Sequence, residues 1–405
     1  MIFFRPHILC FLFAAIILVP GTARGNDDSA SFNNLLGKDD ACLLAAPDGH
    51  LLVAVRIDQP LVPASTLKIL TALTAYYYLG QDHRFTTEFY LDNTGNLKIK
   101  GFGDPLLISE VIVEMASAVQ RRLASRSIRI NDVVLDTSFF ADSLTIPGVT
   151  DTLNPYDAPN GALCANFNTV SFKRLKNGTT ISDEPQTPLL PSVLPRIRAS
   201  KLKEGRIMLS NQKDEAALYF GELFQYFLKQ KGGIVTGRVR LGKIDPLNDT
   251  PLLSYVSSFS LDETVAKLMA YSNNFIANQL LIAAGAKAFG APGTLAKGVA
   301  AAQAFAKTKL GIQQLQLAEG SGISRDNRIS ARTMSRLLKA FLPHHHLLWE
   351  TDHAYYKTGT LIGVSTRAGY IKGAEGALYP FVVIINTPGK SADRVMDRLR
   401  KRAVK

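Results

Sequence analysis

The chain has 405 residues, with 46 Lys and Arg against 34 Asp and Glu and a formal charge of +12. An apolar fraction of 46% with 20% charged and 9% aromatic residues describes a folded protein of two or three domains and excludes disordered and collagen-like chains. Three cysteines are too few to staple this length, which excludes a disulfide-rich scaffold.

Arg5 and His7 precede an uncharged apolar run from Ile8 to Val19, and Ala23-Arg24-Gly25 follows. The run is shorter than the about 20 residues that span a hydrocarbon core, so residues 1–25 read as a signal peptide, with an uncleaved anchor as the alternative. Loss of Arg5 and Arg24 takes the charge from +12 to +10. An exported basic protein suits polyanionic surroundings, and peripheral attachment to wall or membrane surface is expected from that charge. Nucleic acid is not expected as a partner, because no basic, aromatic-interleaved recognition motif is present.

Beyond a polar stretch, Ala41–Ala46 and Leu51–Val55 read as two strands around Pro47-Asp48-Gly49-His50. Pro63-Ala64-Ser65 opens a helix over Thr66–Leu79, with Leu67, Leu70, Leu73 and Tyr77 at helical spacing. A hairpin is expected over Phe85–Ile99, then the glycine turn Gly101-Phe102-Gly103-Asp104-Pro105, a helix over Ile108–Leu123 and a strand over Ile128–Leu135. That turn lacks the third glycine of a dinucleotide fingerprint and the Lys-Ser/Thr of a phosphate loop. Phe139–Pro251 is proline-rich and reads as loops and short strands. Helices follow at Leu261–Tyr271, Phe275–Phe289, Gly293–Leu310 and Ala331–Phe341, then strands at Ser365–Lys372 and Leu378–Asn386 and a charged helix over Ser391–Arg400. The expected fold is α/β (α+β), with a discontinuous catalytic domain from residues 26–84 and 252–405 and an inserted accessory region at residues 85–251.

Three short motifs carry the chemistry. Ser65-Thr66-Leu67-Lys68 puts a hydroxyl and an amine on one helical face a turn apart. Ser200-Lys201-Leu202-Lys203 and Ser210-Asn211-Gln212-Lys213 share the spacing, but only Ser65 opens a strongly apolar helix. A capping serine with a solvated lysine is the competing explanation. Ser272-Asn273-Asn274 lies between two helices, where a helix cap is the simpler reading. Lys357-Thr358-Gly359-Thr360 precedes an alternating strand; on an edge it offers backbone to an extended peptide, Lys357 and Thr358 to a carboxylate, and space at Gly359 for substrate. A hairpin corner is its bland alternative. Adjacent His344, His345 and His346 cannot all face one ion, so a solvated loop is preferred over a metal site. Cys42 and Cys164 carry no thiol-catalysis signature and read as buried thiols, with a bridge between them as the alternative that an oxidising compartment would permit.

In order and placement the three motifs match the serine-lysine acyl-transfer signature. With Gly101–Pro105, Gly320-Ser321-Gly322-Ile323-Ser324-Arg325-Asp326-Asn327 and Ala368-Gly369-Tyr370, the chain resembles the low-molecular-mass class C penicillin-binding proteins, the D-alanyl-D-alanine carboxypeptidase/endopeptidase family. The long interval between Ser65 and Ser272 agrees with that family's insertion, though it is shorter than in larger members, and Glu319 stands where the family usually has aspartate. The resemblance implies a serine β-lactamase/transpeptidase-like domain, with Ser65 as nucleophile, Lys68 as base and Ser272 relaying a proton. Asn274 would orient the substrate amide, and Lys357, Thr358, Gly359 and Thr360 would bind substrate, with an oxyanion site at the Ser65 and Thr360 amides. Peptidoglycan stem peptides are the implied substrate, β-lactams the implied covalent inhibitors, and no metal or cofactor is implied. A β-lactamase or D-amino-acid esterase/amidase on the same scaffold, and a non-catalytic wall-binding relative, remain the alternatives.

Overall fold

The computed structural model describes residue 32, residues 34–142 and residues 144–403. The expected signal peptide therefore lies outside the described residues. The two chain ends meet in one sheet. Strands β1 (Asp40–Ala45) and β2 (Leu51–Val55) join β11 (Trp349–Glu350), β12 (Ala354–Leu361), β13 (Val364–Lys372) and β14 (Leu378–Ile385) in the order β11-β12-β13-β14-β1-β2. All pairs are antiparallel, with Asp40 opposite Ile385 and Leu44 opposite Phe381.

Alternation along these strands sorts two apolar faces. Ala41, Leu43, Ala368, Tyr370, Val382 and Ile384 face a core shared with α1 (Lys68–Leu79), α5 (Leu261–Tyr271), α6 (Asn274–Phe289) and α8 (Ala331–Phe341). Cys42, Leu44, Ile371, Phe381 and Val383 face the other way, onto Val395 and Leu399 of the amphipathic helix α9 (Ala392–Ala403). Within the helical layer, α1 is buried from Lys68 to Ala75 and α6 from Phe275 to Ala286. Helices apolar on every side belong in the interior. Gly285 and Gly298 let α6 and α7 (Leu295–Leu310) touch, since a Cβ on Gly285 would overlap backbone at Gly298.

Between the ends of this sheet the chain builds two more. A five-stranded sheet has the order β10-β3-β4-β5-β9, from β3 (Arg84–Leu91), β4 (Leu97–Gly101), β5 (Val133–Asp136), β9 (Val239–Leu241) and β10 (Thr250–Ser260). The helices α2 (Ser109–Ala124) and α4 (Lys213–Gln230) contribute Ile112, Met115, Phe220 and Phe224 to its core. A three-stranded sheet, β7-β6-β8, comprises β6 (Thr169–Arg174), β7 (Thr180–Ser182) and β8 (Glu204–Met208), with α3 (Leu194–Ser200) nearby in sequence.

Three expectations need correction. Phe139–Pro251, read as loops and strands, contains α3 and the 18-residue α4. Residues 252–260, expected with the chain ends, run in β10 beside β3. Residues 66 and 67 belong to a 3-10 turn over Ala64–Leu67, and the α-helix starts at Lys68. Cys42 and Cys164 are unpaired buried thiols, and burial pushes each up to about 12. The histidine run lies in a 3-10 segment, where the His344 ring stacks on Tyr76 at 4.5 Å. Among the described residues no group of three or more His, Cys, Asp or Glu is placed to hold a metal ion, and no helix is long and apolar enough to cross a membrane.

Candidate active site

Ser65 sits in the 3-10 turn that feeds α1, so its position is fixed by a helix buried continuously from Lys68 to Ala75. Ala64, the residue before it, is fully buried and left-handed (φ 47°). Such a conformation costs a non-glycine residue about 1–3 kcal/mol and persists where neighbours impose it. Here the carbonyl of Pro63 accepts from Thr66 Oγ1 at 2.7 Å and from Thr366 Oγ1 at 2.9 Å, which ties the turn to β13.

One turn on, Lys68 is fully buried and its Nζ meets three oxygens: Ser65 Oγ at 2.9 Å, Asn274 Oδ1 at 2.8 Å and the Ser321 carbonyl at 2.7 Å. Burial first, then the nearby Lys357 cation, lowers its pKa from 10.5 to about 7, against the opposing pull of the Glu319 carboxylate. A shift of that size is on the order of 5 kcal/mol against the charged form. With one proton gone, two N–H bonds go to the Asn274 and Ser321 oxygens and the lone pair faces Ser65 Oγ. That is the geometry of a base poised on a hydroxyl nucleophile.

Asn274 is the first residue of α6. Asn273 caps that helix through its side chain, which accepts from Ile276 N at 3.0 Å. Ser272 ends α5 as its left-handed C-terminal cap (φ 51°, ψ 35°), Asn273 caps the next helix, and Asn274 is the residue of this turn that reaches Lys68. A cavity of about 420 Å³ adjoins this turn, between Tyr271 and Asn273 on one side and Ile108, Phe167, Glu184 and Arg206 of the intervening chain on the other.

Lys357, Thr358, Gly359 and Thr360 lie within β12 itself rather than ahead of a strand. The short β11 pairs only with Tyr355 and Tyr356, which leaves the stretch from Lys357 onward as a sheet edge. Lys357 and Gly359 are buried and alternate with exposed Thr358 and Thr360. Burial, then the Arg367 cation, lowers Lys357 from 10.5 to about 8. Gly359 has a role the sequence reading did not give it. A Cβ there would overlap Thr366 Oγ1 and come within 2.9 Å of Ser65 N and the Pro63 carbonyl, so the glycine makes room for the serine turn rather than for substrate.

The structure thus brings Ser65, Lys68 and Asn274 into direct contact and lays the Lys357–Thr360 edge against the Ser65 turn. Sequence reasoning missed the contributions of Ser321, Asn278, Asn327 and Thr366. The Gly101–Pro105 block is a packing junction: Gly103 (φ 79°) lies against Phe140, and buried Asp104 accepts from Leu106 N at 2.8 Å.

A family model described as the D-Ala-D-Ala carboxypeptidase 3 (S13) family matches residues 33–348. The chain belongs to that family. The match covers the Ser65 and Ser272 motifs of this S13 chain and ends before Lys357. The chain is 26% identical to the D-alanyl-D-alanine carboxypeptidase of Actinomadura sp. (strain R39), over 85% of this chain and 77% of that protein. It is 25% identical to a D-alanyl-D-alanine carboxypeptidase of Haemophilus influenzae, over 80% of each. Among solved structures it is similar in fold to penicillin binding protein 4 from Haemophilus influenzae, with a TM-score of 0.70 at 21% identity, covering 89% of this chain and 93% of that one.

Proposed function

We propose that this S13-family chain is an exported serine D,D-peptidase that cleaves D-alanyl-D-alanine termini or D-Ala cross-links of peptidoglycan stem peptides through an acyl-enzyme on Ser65. The observation that carries this reading is Lys68 Nζ, fully buried and held between Ser65 Oγ and two carbonyl acceptors. In the proposed reaction Lys68 takes the Ser65 proton as Oγ attacks the scissile carbonyl, and the Ser65 and Thr360 amides receive the oxyanion. The C–N bond breaks, Ser272 passes a proton to the leaving amine, and water then hydrolyses the ester. Asn274 orients the peptide amide. Lys357 and the exposed Thr358 and Thr360 hold the substrate carboxylate along the open edge of β12. The same chemistry would trap β-lactams on Ser65.

We assign residues 26–84 and 261–405 to the catalytic domain and 85–260 to an inserted one, moving the expected boundary from residue 252 because β10 pairs with β3. Residues 1–25 would direct export to the periplasm or cell-wall space, and the basic surface would favour peripheral attachment there.

The pH profile of D-alanine release from a peptide ending in D-Ala-D-Ala tests this assignment. Below about 7 Lys68 is protonated and cannot act as base; above about 8 Lys357 loses the charge that would hold the carboxylate. kcat/KM should therefore rise through about 7 and fall through about 8, as a narrow bell. A single rise near the ordinary lysine pKa of about 10.4 would contradict the base role.

A further inference from the structure

We propose that Glu319 is a positioning residue for acylation: its buried carboxylate folds the Glu319–Asn327 loop around itself and so holds the Ser321 carbonyl on Lys68 Nζ. This rests on the reading of Ser65 as an acylated nucleophile.

Glu319 is fully buried, yet it has no direct ion-pair partner within contact distance among the described residues. Its charge is met by hydrogen-bond donors. Oε1 accepts from Gly322 N at 2.6 Å, Asn327 Nδ2 at 2.8 Å and Ser324 N at 3.3 Å. Oε2 accepts from Ser321 Oγ at 2.6 Å, Ser321 N at 2.7 Å and Asn278 Nδ2 at 3.0 Å. A buried carboxylate so satisfied is a strong organiser, because each N–H would otherwise be desolvated without a partner.

The loop wrapped on this carboxylate is bolted to both central helices. From α1, Lys68 reaches the Ser321 carbonyl, and Thr71 Oγ1, three residues on, donates to the Gly320 carbonyl at 2.5 Å. From α6, Asn274 meets Lys68, and Asn278, one turn later, accepts from Gly320 N at 2.7 Å while donating to Glu319. One rigid wedge therefore sets one of the two acceptors that aim the Lys68 lone pair at Ser65. A misplacement of about 1 Å at such a contact can cost about 100-fold in rate. Glu319 also supplies the negative charge that opposes the Lys357 cation at Lys68.

The test compares Glu319→Gln, Glu319→Asp and Asn278→Ala by two readouts: the second-order rate of penicillin acylation across pH, and the titration of Lys68 by NMR of ¹³Cε-labelled lysine. A glutamine amide turns an N–H toward the loop's own donors in either orientation. Glu319→Gln should acylate about 10–100-fold more slowly, and both the Lys68 titration and the rise of acylation should move to lower pH. Glu319→Asp keeps the charge and should restore the wild-type midpoint. Asn278→Ala keeps the carboxylate and should slow acylation without moving the midpoint.

A merely structural role would lower the melting temperature of these variants and leave the midpoint and the rate per folded molecule unchanged, which overturns the proposal. If Glu319→Gln does not fold, a displaced midpoint in Glu319→Asp, or wild-type acylation in Asn278→Ala, overturns it equally. Absence of any adduct on the wild-type protein would refute the acylation reading, while the Lys68 titration would still decide whether Glu319 controls that amine.

Discussion

Lys68→Ala should slow the acylation of Ser65 by benzylpenicillin by about 1,000-fold, within the range of a lost general base. The nucleophile, its turn and the β12 edge all remain in this variant, so the loss isolates proton transfer. Two acceptors are left behind, the Ser321 carbonyl and Asn274 Oδ1, both now facing the gap the lysine leaves. An unsatisfied buried acceptor costs about 1–3 kcal/mol, but removing a desolvated amine offsets part of that, so the fold should survive. Stopped-flow acylation together with a melting curve separates the two effects. A rate within tenfold of wild type would show that another group takes the Ser65 proton.

The second large effect is structural in origin. Gly322→Ala should destabilise the protein by about 3 kcal/mol and cripple acylation together. Gly322 is left-handed (φ 84°), and a Cβ there would overlap the Ala64 carbonyl oxygen and lie 3.1 Å from Ser65 N. Both obstacles are backbone atoms of the nucleophile turn, so relief requires moving Ser65 itself. Gly311 is the control: it is also left-handed (φ 65°), as the cap of α7, but a Cβ there meets nothing within 4 Å. Gly311→Ala should cost about 1 kcal/mol and leave acylation unchanged. Urea unfolding and acylation of both variants check the contrast; equal losses would remove the close approach as the cause.

Local features of the site were legible in the sequence, whereas its long-range contacts were not. Ser65 and Lys68 stand a turn apart where the motif puts them, and the limits expected for α5 and α8 agree with those observed, because caps and apolar spacing act over a few residues. The spacing of Ala216, Phe220, Leu223, Phe224 and Phe227 carries an equally clear helical period for α4; the surrounding prolines obscured it. Gly359 illustrates the limit. Its neighbours Pro63 and Ser65 are almost 300 residues away in sequence, so a glycine read as space for substrate proves to be space for the protein's own turn. Glu319 is a similar case. Seen as a conservative exchange for aspartate, it is the centre of a loop bonded to Asn278 and Asn327, and no local pattern announces that a carboxylate will be buried there.

Intact-protein mass spectrometry after incubation with benzylpenicillin, on the wild-type chain and on Ser65→Ala, tests the central claim most directly. One penicilloyl group on the wild type, mapped to the peptide carrying Ser65 and absent from Ser65→Ala, is the result predicted. An adduct that persists in Ser65→Ala, or an unlabelled wild-type protein beside intact penicillin, would contradict the acyl-enzyme account. An unlabelled protein beside hydrolysed penicillin would instead show fast turnover and a β-lactamase on this scaffold.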